Sequence, residues 1–88
     1  MILFSLGRVV ATPGALALLA NRRQDPSTFL LRHAQGDWGV LDDKDKQAND
    51  RALREGTRLL SAYELPEKLW IVTEADRSAT TLLLPEEY

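Results

Sequence analysis

The chain of 88 residues has no cysteine and a single histidine, His33. Without cysteine it can form neither disulfides nor a thiolate zinc site, and one imidazole does not supply the usual zinc ligand set. The stretch from Gly7 to Gly14 has two glycines but lacks the lysine and the spacing of a phosphate-binding loop. These absences lead us to expect neither a metal ion nor a cofactor.

An excess of charge of one sign is also missing. Eleven basic and thirteen acidic residues leave a formal net charge of −2. Direct nucleic-acid binding is not expected from this balance, because it needs several cations on one face. A nucleic-acid-binding accessory protein stays an alternative if four arginines gather on one surface: Arg8, Arg22, Arg23 and Arg32.

Long hydrophobic runs are absent as well. The apolar N-terminus, Met1 to Leu6, is too short to span a membrane, and no basic residues precede it as they do in an export signal. Hydrophobic residues make up 44% of the chain, enough for one modest core at this length. We therefore expect one cytoplasmic domain over residues 1–88.

The first two thirds of the chain carry helix signals. Residues 2–11 are rich in β-formers and predict a strand, and Thr12-Pro13 and Asp25-Pro26 are typical helix starts. They predict an apolar, buried helix over 14–20 and a second helix that ends at Gly36. A third, polar helix runs from Asp42 or Asp43 to about Glu55, with a thin inward stripe of Ala48, Ala52 and Leu53.

The pattern changes after residue 57. Three β-rich runs, 58–65, 69–75 and 79–84, are separated by short turns and predict a three-stranded meander. Together the elements predict an α+β fold: a two-layer sandwich with three helices on one face of a mostly antiparallel sheet. The N-terminal strand is expected to join the same sheet.

The segment 33–41 is the densest in unusual residues, since it contains His33, Gly36, Asp37, Trp38 and Gly39. Trp38 either fills the gap between the second and third helices or offers a flat face to a ligand. Large aromatic side chains in small proteins are mostly buried, so we favour the first interpretation.

Catalytic residues are not expected, but three candidates define an enzyme alternative. His33 could act as a general base oriented by Asp37, or it could be a half-buried last-turn histidine whose cation the helix dipole favours. At a hairpin tip, Arg77 could hold a phosphate while Glu74 or Asp76 acts as acid or base, as in a small ribonuclease or toxin-like enzyme. The simpler interpretation of this tip is a solvated turn. No Ser–His–Asp arrangement is supported beyond the presence of those residue types.

Acidic residues cluster before and within the third helix. They outnumber the neighbouring Lys44 and Lys46, and we expect most of them to be exposed because that helix has so few apolar positions. The cluster is the candidate binding surface for a basic protein partner, and its charges should be cheap to reverse. Its members are Asp37, Asp42, Asp43, Asp45 and Asp50.

The chain resembles a family of small uncharacterised bacterial proteins, often encoded on plasmids and other mobile elements and sometimes labelled as type I restriction subunits. The resemblance covers nearly the whole chain and implies a compact single domain with no catalytic residues to carry over. The chain itself is too short to be a restriction or methylation subunit. The motifs that carry the resemblance are Gly-Arg-Val-Val-Ala-Thr-Pro-Gly-Ala (7–15), Leu-Arg-His (31–33), Gly-Asp-Trp-Gly (36–39), Asn-Asp-Arg-Ala-Leu (49–53), Leu-Leu-Ser-Ala-Tyr (59–63) and Thr-Glu-Ala-Asp-Arg-Ser (73–78).

These observations favour a non-enzymatic protein-interaction domain of bacterial mobile elements. In its sharper form, the prediction is an inhibitor of a host defence nuclease complex, of the anti-restriction or anti-CRISPR type. The small ribonuclease and the nucleic-acid-binding accessory protein are the alternatives. Oligomeric state is left open by the sequence.

Overall fold

The computed structural model describes all residues from 1 to 88, which form four strands and three α-helices. A short 3-10 turn (Pro85–Glu87) follows the last strand. In chain order the elements are β1 (Arg8–Ala11), α1 (Pro13–Asn21), α2 (Pro26–Ala34), α3 (Asp43–Glu55), β2 (Leu59–Glu64), β3 (Lys68–Thr73) and β4 (Ala79–Leu83).

The four strands form one mixed sheet in the order β1-β4-β3-β2. Strands β2, β3 and β4 are the predicted antiparallel meander, and β1 joins it in parallel beside β4. With helices packed against this sheet, the predicted α+β fold class is confirmed. The strand boundaries differ from the prediction by one or two residues, except at the N-terminus.

The N-terminal strand is shorter than predicted, because it covers 8–11 rather than 2–11. Gly7 has a left-handed backbone (φ 64°), and a Cβ there would lie 2.4 Å from the carbonyl oxygen of Arg77. The chain turns at this close approach and continues along α2, where the Leu3 amide donates to the Ala34 carbonyl. Residues 1–7 therefore lie outside the sheet.

Each helix begins at the capping residue that the sequence predicts. The side chains of Thr12, Asp25 and Asp42 accept hydrogen bonds from amides in the first turns of α1, α2 and α3. Gly56 ends α3 in a left-handed conformation (φ 72°). No helix of this chain has the length and apolar character that a bilayer crossing requires.

The core lies between the helices and the sheet face made by alternate residues of each strand. Two predicted burial patterns are wrong. In α1, Leu16 is 54% exposed, so that helix is not buried all round, and in α3 Ala48 is exposed while Asn49 is buried. The buried residues of this layer are Ala15, Leu18, Leu19, Phe29, His33, Ala34, Trp38, Asn49, Ala52, Leu59, Ser61, Tyr63, Leu69, Ile71, Thr73, Thr80 and Leu82.

Candidate functional site

A chain of hydrogen-bonded polar side chains crosses the core around the only histidine. The imidazole Nδ1 of His33 lies 2.6 Å from the Ser61 hydroxyl, and Nε2 lies 2.9 Å from the Thr73 hydroxyl. Thr73 in turn contacts the Thr80 hydroxyl at 2.7 Å, and Thr80 donates to the Leu6 carbonyl at 2.7 Å. All four side chains have 0% exposure, so this network is internal to the fold.

The direction of these hydrogen bonds follows from the last acceptor. A carbonyl oxygen only accepts, so the Thr80 proton goes to Leu6 and Thr80 accepts from Thr73. Thr73 then accepts from Nε2–H of His33, which leaves Nδ1 to accept from Ser61. The network therefore specifies the neutral Nε2–H tautomer, in which each partner is satisfied.

Burial of His33 lowers its pKa from its ordinary value of 6.5 to about 4. The imidazole is thus neutral at pH 7, and the expectation that the helix dipole favours its cation is wrong, because desolvation dominates. Asp37 does not orient the ring either. Its carboxylate contacts Arg32 Nε at 2.6 Å and the Gly39 amide at 3.2 Å.

Aromatic rings close the space beside the imidazole. Phe4 and Trp38 meet the ring edge-on, with centroid distances of 5.1 and 5.8 Å. Neither His33 nor Ser61 lines any of the surface cavities. A general base must reach its substrate through a hydrogen bond or one water, and this imidazole reaches only the chain's own hydroxyls.

Arg77 is engaged with backbone carbonyls rather than with solvent. Its guanidinium donates to the carbonyls of Ala52 and Thr57, at the end of α3, at 3.1 and 2.6 Å. It also donates to the carbonyls of Glu74 and Ala75 in its own turn. Arg77 therefore ties the β3–β4 turn to the C-terminus of α3, which neither the phosphate-clamp nor the solvated-turn interpretation predicted.

Glu74 lies in a different environment from the other two candidates. Its carboxylate pairs with Arg58 at 3.0 Å and lines a cavity of about 370 Å³ that neither His33 nor Arg77 lines. The structure does not bring His33, Glu74 and Arg77 together around one cleft. The geometry that the enzyme alternative requires is therefore missing.

Trp38 fills the corner between α2 and α3, which confirms the favoured interpretation. The indole is 5% exposed and packs with the buried Ala52 and Leu59. Its Nε1–H donates to Asp50 at 3.2 Å, and its ring stacks on Phe4 at 6.2 Å. An indole enclosed in this way has no free face, so the ligand-stacking interpretation is wrong.

The backbone beside Trp38 pairs with the outer edge of β2. The Val40 amide donates to the Ala62 carbonyl at 2.8 Å, and the Ala62 amide donates to the Trp38 carbonyl at 3.1 Å. Gly39 sits between them with φ 80°, where a Cβ would lie 1.9 Å from the Ala62 carbonyl oxygen. Only glycine allows this approach.

Asn49 closes the same edge two residues earlier along β2. Its amide nitrogen donates to the Leu60 carbonyl at 2.6 Å, and its amide oxygen accepts from the Leu60 amide at 3.1 Å. The side chain thus imitates a neighbouring strand. Sequence reasoning missed it, although a polar residue inside the predicted apolar stripe of α3 was a signal.

Replacing Asn49 by alanine should lower the free energy of unfolding by about 1–3 kcal/mol, because it leaves the Leu60 amide and carbonyl unpaired at a covered edge. Urea unfolding would measure the change. The exposed neighbour Gln47→Ala is the control and should stay within about 0.5 kcal/mol of wild type. Equal stability of the two variants would show that Leu60 does not need the amide.

The five predicted binding aspartates are all exposed, but three also have structural roles. Asp42 caps α3, Asp37 pairs with Arg32, and Asp50 accepts from Trp38. Reversing the charge of Asp42 is therefore not neutral, contrary to expectation. Asp43 and Asp45 have exposed side chains in the first turn of α3 with no side-chain hydrogen bond.

Two of the four candidate arginines for nucleic-acid binding are already paired. Arg22 contacts Glu67 at 3.0 Å, and Arg32 contacts Asp37 at 2.6 Å. This leaves the guanidinium groups of Arg8 and Arg23 without a carboxylate partner. Two free cations are fewer than a phosphate-tracking surface uses.

A scan against protein-family models, a search of curated proteins and a search of solved structures each found no match to this chain.

Proposed function

We propose that this chain is a non-enzymatic protein-interaction domain that acts by contact. The observation that carries the proposal is the exposure of Asp43 and Asp45 beside the engaged carboxylates of the same segment. Both project from the first turn of α3 without a partner in the chain. By contrast, the enzyme candidates are enclosed, bonded to backbone or in separate places, as described above.

The partner would present a basic surface. Complementary charge speeds association and selects partners, and it does so even where it adds little affinity. A groove that holds nucleic acid is the common basic surface of this kind. In the sharper form of the proposal, the protein comes from a bacterial mobile element, works in the cytoplasm and blocks such a groove in a host defence nuclease complex.

The double variant Asp43→Lys/Asp45→Lys tests this surface without touching the Asp42 cap. Each reversal near the start of a helix costs about 0.3–1 kcal/mol, so the variant should stay folded in thermal melting. Affinity capture from bacterial lysate with mass spectrometry should lose the partner that wild type retains. Binding of that partner to wild type should weaken as salt is raised.

The matched control is Glu55→Lys/Glu86→Lys, which makes the same charge change at two exposed glutamates away from the cluster. It should capture the partner as wild type does. Undiminished capture by the folded Asp43/Asp45 variant would move the interface elsewhere. RNA cleavage by the purified protein that is lost in His33→Ala would overturn the non-enzymatic proposal itself.

A further inference from the structure

The outer edge of β1 is open. The Arg8 amide donates to the Ser78 carbonyl and the Thr12 amide donates to the Leu82 carbonyl, so residues 8, 10 and 12 face β4. In a parallel ladder the alternate residues point the other way. The amide and carbonyl groups of Val9 and Ala11 are therefore directed away from the sheet.

The side chains on this edge are apolar and exposed. Val9, on the helix-covered face, is 44% exposed, and Val10, on the opposite face, is 40% exposed. An edge strand with free backbone groups and apolar side chains on both faces is a template for another strand. The chemistry of the occupant is thus an extended backbone flanked by apolar residues.

The opposite edge of the sheet is closed. Asn49 occupies the outward groups of Leu60, and the segment 38–40 pairs with Ala62. A β-strand can therefore be added at β1 but not at β2. If two copies join through β1, the combined sheet has a closed edge at both ends, and the assembly stops at two.

We propose that β1 pairs with β1 of a second copy of this chain, antiparallel about a two-fold axis at Val10. In this register Val9 of each copy exchanges both backbone hydrogen bonds with Ala11 of the second copy. Val10 then lies directly opposite Val10 of the second copy, on the sheet face that the helices do not cover. The larger Val9 meets the smaller Ala11 on the helix-covered face, so the side chains are complementary.

The same register is also complementary in charge. It places Arg8, which has no ion-pair partner within its own chain, opposite Thr12 of the second copy. The Thr12 hydroxyl donates to the Glu87 carboxylate at 2.5 Å, and that carboxylate also accepts from the Gly14 amide. Each Arg8 would thus face the fixed Glu87 carboxylate of the second copy, and the two-fold axis makes this contact twice. No like charges lie opposite each other.

The experiment uses analytical ultracentrifugation of wild type and variants from about 1 μM to about 1 mM, the range in which a small interface dimerises. Wild type should show a monomer–dimer equilibrium. Val10→Lys and Val10→Glu should each weaken dimerisation by about tenfold or more, since like charges meet on the axis. An equimolar mixture of the two should recover a heterodimer, because only a two-fold axis at Val10 brings position 10 against itself.

Two further variants separate edge pairing from misfolding. Val9→Pro removes an outward donor and no ladder bond, so it should abolish the dimer while the far-UV circular dichroism stays that of wild type. Val40→Lys is the control for Val10→Lys: it introduces the same charge at another exposed valine and should leave the dimer intact. A wild type that is monomeric up to about 1 mM, or a dimer that survives Val10→Lys and Val9→Pro, overturns the proposal.

Discussion

Replacing Trp38 by alanine should lower the free energy of unfolding by about 3–5 kcal/mol, the range for removal of a large buried aromatic side chain. The indole is 5% exposed and fills the space against Phe4, Ala52 and Leu59. The backbone of the same residue holds the β2 edge through Ala62. The cavity would therefore open where α2, α3 and the sheet meet.

Thermal melting and urea unfolding measure this effect. A domain of this size loses about 4–8 °C in melting temperature per kcal/mol, so the midpoint should fall by at least about 12 °C. Trp38→Phe keeps an aromatic ring and gives up the hydrogen bond to the exposed Asp50, so its loss should be less than half as large. An unchanged midpoint for Trp38→Ala would show that the indole is not part of the core.

Acidification should destabilise the protein through His33 before the carboxylates contribute. Burial lowers the pKa of His33 from 6.5 to about 4 in the folded state. Below pH 6.5 the unfolded chain binds a proton that the folded chain does not, so stability falls as the pH falls. The full loss, complete only below pH 4, is about 3 kcal/mol, and about 2 kcal/mol of it should appear between pH 7.5 and pH 5.

Two measurements check this prediction. Urea unfolding at pH 7.5 and pH 5 should show the loss in wild type. In His33→Gln, which retains every carboxylate, the free energies of unfolding at the two pH values should differ much less. Because the chain has one histidine, NMR follows its imidazole without assignment ambiguity. A folded-state titration midpoint between pH 6 and 7 would contradict a neutral, enclosed His33.

The regular elements were predictable because their signals are local. Thr12, Asp25 and Asp42 each cap a helix through an amide two or three residues away, and Gly56 ends α3 through its own φ angle. The β-rich runs of the C-terminal third, separated by short turn segments, likewise predicted three strands. Such signals act within a few residues and depend little on the rest of the fold.

The misjudged positions are those where distant parts of the chain meet. The N-terminal strand begins later than predicted because Gly7 passes against the backbone of residues 77 and 78, far along the chain. Asn49 is one polar residue of a polar helix, yet it closes the β2 edge through Leu60. Neither contact leaves a periodic pattern in the sequence, because each depends on where another element is placed.

For the candidate site too, some properties follow from the sequence and others from tertiary contacts. The sequence by itself determined which residues were candidates for chemistry, the exposure of the acidic segment and the absence of cysteine ligands. Only the tertiary structure decided that His33 is neutral and enclosed, since its two ring nitrogens contact residues 28 and 40 positions away and the network ends at a residue 74 positions from Thr80. A pKa and a hydrogen-bond direction depend on desolvation and on partners that meet only after folding, whereas capping and turn formation depend on near neighbours.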